Sequence, residues 1–145
     1  MGVCFLGLIL VGRYVTWQAV LTGELTMIAV IFEVWASEGR KDEYLEIAAS
    51  LRADQNNIDG FISVERFQSL TDPKKLLSLS FWRDEEAIRK WRNHSRHRKS
   101  QIQGRAGVFA DYRLRIAAVT RDYGMTDRAA APDDSRAIHD RQSSQ

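Results

Sequence analysis

The chain has 145 residues, a net charge of +2 and one cysteine, Cys4. With 44% hydrophobic and 28% charged residues it fits one globular domain, a size that buries roughly two-thirds of the unfolded surface. A lone cysteine excludes an internal disulfide framework and a cysteine-rich zinc site, and +2 is too small a charge to signal a nucleic-acid partner.

Residues 1–26 hold an apolar run, Val3 to Val11, followed by Arg13 and Gln18. The run is too short for a membrane span and lacks the basic start and small-residue cleavage site of a secretory signal. We expect the domain to begin at Met27, with residues 1–26 an appended, poorly packed extension. Membrane contact by residues 1–21 is the alternative. With nothing pointing to secretion, a cytoplasmic protein is expected.

Met27 to Ala36 is rich in β-branched and aromatic residues and reads as a buried strand. A helix starting at Ser37 or Gly39 and running to about Asn56 follows, with Tyr44, Ile47, Ala48 and Leu51 as its apolar stripe. Phe61 to Leu70 is a second strand, with Ile62 and Val64 on one face and Phe61, Glu65 and Phe67 nearer the other. Thr71-Asp72-Pro73-Lys74 is a turn that makes a hairpin with the next strand.

Lys75 to Trp91 is the most informative stretch. Leu77, Leu79 and Phe81 alternate with Ser78, Ser80 and Trp82, the period of a strand. Asp84 offers an N-cap oxygen, Glu85 and Glu86 suit a helix N-terminus, and Ala87, Ile88 and Trp91 follow at helical spacing. A basic helix over Ser95 to Gln103 comes next, closed by Gly104 and Gly107. Val108 to Tyr123 is expected to be a long last strand, with Tyr112, Leu114, Ile116 and Ala118 on one face and Asp111, Arg113 and Arg115 on the other. From Gly124 onward polar residues prevail without periodicity, and an unstructured tail is expected.

The order β-α-β-β-α-β is the split βαβ, ferredoxin-like plan, an α+β fold with a four-stranded antiparallel sheet and two main helices on one face. That plan is shared by RNA-binding modules, but Gly60-Phe61-Ile62-Ser63-Val64 lacks their aromatic signature, so no nucleic-acid partner is expected.

Candidate chemistry collects at the strand-to-helix joint. Trp82 and Trp91 are core aromatics unless a cavity lies between sheet and helices, in which case they wall it. His94 and His97 sit three apart, a spacing that could hold a metal only with a third ligand. His97 has the ordinary pKa of a general base, and nearby arginines favour its neutral form. Otherwise it is a surface histidine on a basic helix. No phosphate-cradling loop, dinucleotide fingerprint or serine elbow occurs.

Glu33-Val34-Trp35 with Glu38-Gly39, the turn Asp59-Gly60-Phe61-Ile62-Ser63, and Leu79-Ser80-Phe81-Trp82-Arg83-Asp84-Glu85-Glu86-Ala87 with Trp91 and His97 resemble the antibiotic biosynthesis monooxygenase (ABM) family of the dimeric α+β barrel superfamily. The resemblance spans Met27 to Tyr123. It implies a homodimer whose sheets close into a barrel, and oxidation of a quinol-like or polyphenolic substrate by O₂ without metal or flavin. On that reading His97 and Trp91 are catalytic, and Phe81, Trp82, His94, Phe67 and Tyr112 contact the aromatic substrate. Haem-degrading relatives use an Asn and an axial His whose positions fall near Phe32 and Gln101. Both depart here, which leaves haem binding only to His94 or His97. A non-catalytic ligand-binding or dimerisation module of the same fold is the alternative to an enzyme.

Overall fold

The computed structural model describes residues 26–140; the extension expected over residues 1–26 lies almost wholly outside them. The described chain runs β1 (Ile28–Ala36), α1 (Lys41–Ser50), α2 (Arg52–Asn56), β2 (Phe61–Gln68), β3 (Lys75–Trp82), α3 (Glu85–Asn93), α4 (Ser95–Gln103), β4 (Phe109–Ala118) and α5 (Asp133–His139). The strands form one antiparallel sheet in the order β2-β3-β1-β4, the ferredoxin-like arrangement. The helix expected from Ser37 or Gly39 to Asn56 is two helices hinged at Leu51, and its stripe is buried at Tyr44, Ala48 and Leu51. Among the described residues no helix is long and apolar enough to cross a membrane.

Register fixes what each face carries. Ile28, Val30, Phe32 and Val34 of β1 lie opposite Trp82, Ser80, Ser78 and Leu76 of β3 and opposite Ala118, Ile116, Leu114 and Tyr112 of β4. These share the face that the helices cover. The other face carries Ala29, Ile31, Glu33 and Trp35 beside Phe81, Leu79, Leu77 and Lys75. There Glu33 pairs with both Lys75 and Arg115. Leu77, Leu79 and Phe81 of β3 thus turn away from helices α1 to α4, while Leu76, Ser78 and Ser80 turn toward them.

Strand β2 departs from simple alternation. Phe61 pairs with Trp82, yet Ser63 pairs with Phe81, so Ile62 is an extra residue in a bulge. One inserted residue reverses every side chain beyond it. Phe61, Val64 and Arg66 consequently face the helices, whereas Phe67 lies opposite Leu77 on the outer face and is exposed. The faces expected from sequence for Phe61 and Ile62 are therefore corrected.

The turn into β2 depends on Gly60, whose φ of +92° few L-residues adopt and whose added Cβ would stand 2.7 Å from the Ala87 Cβ. Arg83 locks the same turn, its amide donating to the Gly60 carbonyl at 2.8 Å and its guanidinium gripping both Asp59 oxygens. Asp84 caps α3 by accepting from the Ala87 amide at 2.8 Å. After α4 a single π turn, Gly104–Val108, hands the chain to β4.

Strand β4 ends at Ala118, five residues short of the expected Tyr123. The stretch expected to be an unstructured tail instead carries α5, where Arg128 bridges Asp140 and the Ser135 hydroxyl. Those polar contacts leave no apolar period to read.

The core has two centres. One gathers Val34, Tyr44, Ala48, Leu76 and Val108; the other gathers Leu51, Trp82, Ala87, Ile88 and Trp91.

Candidate active site

Between these two centres the packing is incomplete. Ser78 and Ser80 stand mid-sheet opposite Phe32 and Val30, where a filled core would place larger side chains. Above them lies a cavity of about 530 Å³, walled by α1, α3 and α4 and drawing residues from both core clusters. Its lining is aromatic and aliphatic, including Phe32, Trp82, Trp91, Phe109 and Tyr112. It opens beside β4 and α4, where Leu114, Ile116, Ile102 and Arg98 are exposed.

The deep wall is a run of stacked rings. Phe61 meets Trp82 edge-on at 5.2 Å, Trp82 stacks with Trp91 at 6.4 Å, and His97 lies flat on Trp91 at 4.3 Å and 14°. The indole N–H of Trp82 donates to the Ser80 hydroxyl at 2.9 Å, both residues being buried.

His97 is placed by the break between α3 and α4. His94 is extended there (φ −60°, ψ 132°), which ends α3 and leaves the Trp91 carbonyl without a normal helical partner. That oxygen accepts from the His94 amide at 3.0 Å and contacts His97 Nδ1 at 3.0 Å. A carbonyl only accepts, so Nδ1 carries the proton and, in the neutral ring, Nε2 is left as the basic nitrogen. Burial pushes the His97 pKa below its ordinary value, with His94 and Arg98 adding to the effect against the opposing hydrogen bond that His97 donates to the Trp91 carbonyl. The imidazole is thus neutral near pH 7 and fit to take a proton.

Of the seven residues expected at the site, His97, Trp91, Trp82 and Tyr112 line this one cavity. His94 stacks on Trp91 at 5.8 Å but is not part of the lining, and its Nδ1 is buried without a partner. Phe81 and Phe67 are on the opposite face of the sheet. Period-two alternation already separates Phe81 from Trp82, and the bulge removes Phe67.

Sequence reasoning missed Ser78 and Ser80 as the cavity floor. It also did not single out Arg66, which the bulge places on the helix-facing side opposite Ser78. The lining holds Arg66, Arg92, Arg98 and Arg105 and no aspartate or glutamate. Among the described residues no three of His, Cys, Asp and Glu converge as metal ligands.

The family model for antibiotic biosynthesis monooxygenase matches residues 27–102. The chain belongs to the antibiotic biosynthesis monooxygenase family. It is 50% identical over 94 residues to a protein of Pyricularia oryzae named jasmonate monooxygenase ABM, covering 65% of this chain. The chain spans 44% of that relative's length, less than half. It is 33% identical over 102 residues to Bacillus subtilis YqjZ, covering 69% of this chain and 85% of YqjZ. Among solved structures, a mutant of SnoaB from Streptomyces nogalater, described as a cofactor-independent oxygenase, superposes with a TM-score of 0.60 at 11% identity, covering 67% of this chain and 96% of the other. A protein of Mycobacterium tuberculosis, Rv0793, gives 0.62 at 13% identity, covering 68% and 100%. At these identities the structures confirm the ABM fold alone.

Proposed function

We propose that the chain is a cofactor-independent monooxygenase that oxidises an electron-rich, quinol-like or polyphenolic molecule with O₂. The observation that carries this reading is the neutral His97, proton on Nδ1, held flat against Trp91 in an aromatic cavity. His97 Nε2 takes the phenolic proton of the substrate. The resulting phenolate is a strong electron donor, and it reduces O₂ directly. One oxygen atom ends in the ring as a quinone carbonyl and the other leaves as water, so the ring supplies every electron and no outside reductant is needed. Trp91, Trp82 and Tyr112 hold the ring, and the apolar walls limit water around the anion.

A homodimer belongs to the same proposal. Ile31, Leu77, Leu79 and Phe81, half-buried, and the exposed Phe67 make an apolar strip on the outer face of the sheet, turned away from α1 to α4. A second copy laid sheet to sheet would bury it, with Phe81 and Phe67 serving the interface rather than the substrate. A cytoplasmic setting, in keeping with the single cysteine, is part of the proposal.

Oxygen uptake with a panel of hydroquinones and polyphenols, with jasmonate as the non-phenolic comparison, tests the reading. Wild-type turnover that falls at least about a hundredfold in His97→Ala supports it. Ligand binding without oxygen uptake would replace the enzyme by a binding module, and a shifted Soret band on adding haem would point to the haem-binding alternative.

A further inference from the structure

We propose that Arg66 is an anion receptor inside the cavity, so that the substrate is a small apolar molecule carrying an oxyanion, such as a carboxylate, apart from the group that His97 deprotonates. The inference rests on the cavity being the substrate site.

The bulge at Ile62 is what brings Arg66 there, placing it on the helix-facing side of β2 opposite Ser78. It is only partly exposed, yet among the described residues it forms no ion pair; its contacts are the neutral Tyr44 hydroxyl and a long 3.5 Å bond from Nη2 to the Ala48 carbonyl. Its Nε is buried with no partner. A guanidinium left without a counter-charge in an apolar setting is costly, and a bound oxyanion would relieve that cost through two parallel N–H···O bonds. No acidic side chain of the lining competes for it.

The other three arginines are less suited. Arg92, Arg98 and Arg105 are all exposed to solvent, Arg98 donating to Asn93 and Arg105 lying over the Tyr112 ring. Arg98 and Arg105 lie at and just after α4, on the side where the cavity opens, whereas Arg66 reaches Ala48 of α1. A molecule spanning the cavity therefore points its anion at Arg66, near Ala48, and its reacting ring at Trp91 and His97.

Two fluorescent probes with the same apolar body test this without turnover. These are 1-anilinonaphthalene-8-sulfonate and the uncharged N-phenyl-1-naphthylamine, titrated into the full chain. The sulfonate should bind the wild type more tightly. Arg66→Gln should weaken it by about tenfold or more while changing the neutral probe by less than about twofold, and Arg66→Lys should restore part of the difference. Arg98→Gln should leave the difference in place. Equal losses for both probes in Arg66→Gln, or a larger loss of selectivity in Arg98→Gln, would overturn the assignment. Selectivity that depends on Arg66 in a protein showing no oxygen uptake would keep the anion site and discard the oxygenase.

Discussion

Removing the Ser80 hydroxyl tests whether the deep end of the cavity is dry. The Trp82 N–H has Ser80 Oγ as its acceptor at 2.9 Å, and both side chains are buried. Ser80→Ala strands the donor, which should cost about 1–3 kcal/mol, the usual desolvation penalty of a buried unpaired group. At roughly 4 °C per kcal/mol for a chain of this size, Tm should fall by several degrees. Trp82→Phe removes the donor itself, so adding Ser80→Ala to that background should cost under about 0.5 kcal/mol. Urea unfolding followed by circular dichroism, at unchanged slope, gives all four corners of the cycle. Equal costs of Ser80→Ala in the two backgrounds would refute the reasoning, because ordered water would then be satisfying the indole and the pocket floor would be wet.

For the candidate base, kcat/KM for oxygen uptake should rise with pH and level off above the His97 pKa, which burial holds below its ordinary value. Stability should follow the same group: the unfolded chain takes up the proton first, so stability is constant above about pH 6.5 and declines as pH falls from there toward the lower folded-state pKa. In His97→Gln, unfolding curves across that range should show a flatter dependence. Asp84→Ala removes the acceptor for the Ala87 amide and should cost about 1 kcal/mol by urea unfolding, most of it regained in Asp84→Asn. Gly60→Ala must place a side chain at φ +92° and meet Ala87, so it should destabilise by about 2 kcal/mol or more; a neutral result would show that the turn relaxes easily.

Much of the fold was legible because its signals are local. The alternation from Lys75 to Trp82, the Asp84 cap and the helical spacing of Ala87, Ile88 and Trp91 each need only neighbouring residues, and each stands where the sequence placed it. The glycines after α4 likewise mark the turn into β4. What escaped depends on pairing across strands. Nothing in Phe61-Ile62-Ser63 announces a bulge, so Arg66 was not singled out and Phe67 was expected at the substrate. Which half of β3 faces the helices is equally hidden, since Leu77, Leu79 and Phe81 look more like core than Ser78 and Ser80 do. The serines make sense only once the space above them is seen. The position of His97 on Trp91 depends on a helix break at His94 that carries no glycine or proline to betray it.

Nitrogen-15 NMR of the histidine rings across a pH titration tests the central claim most directly. His97 should be in the Nδ1–H form at neutral pH, titrate below 6.5, and change its Nε2 resonance when a phenolic ligand enters the cavity. A ring protonated at Nε2 when neutral, or one already charged at pH 7, would contradict the assignment of this histidine as the base.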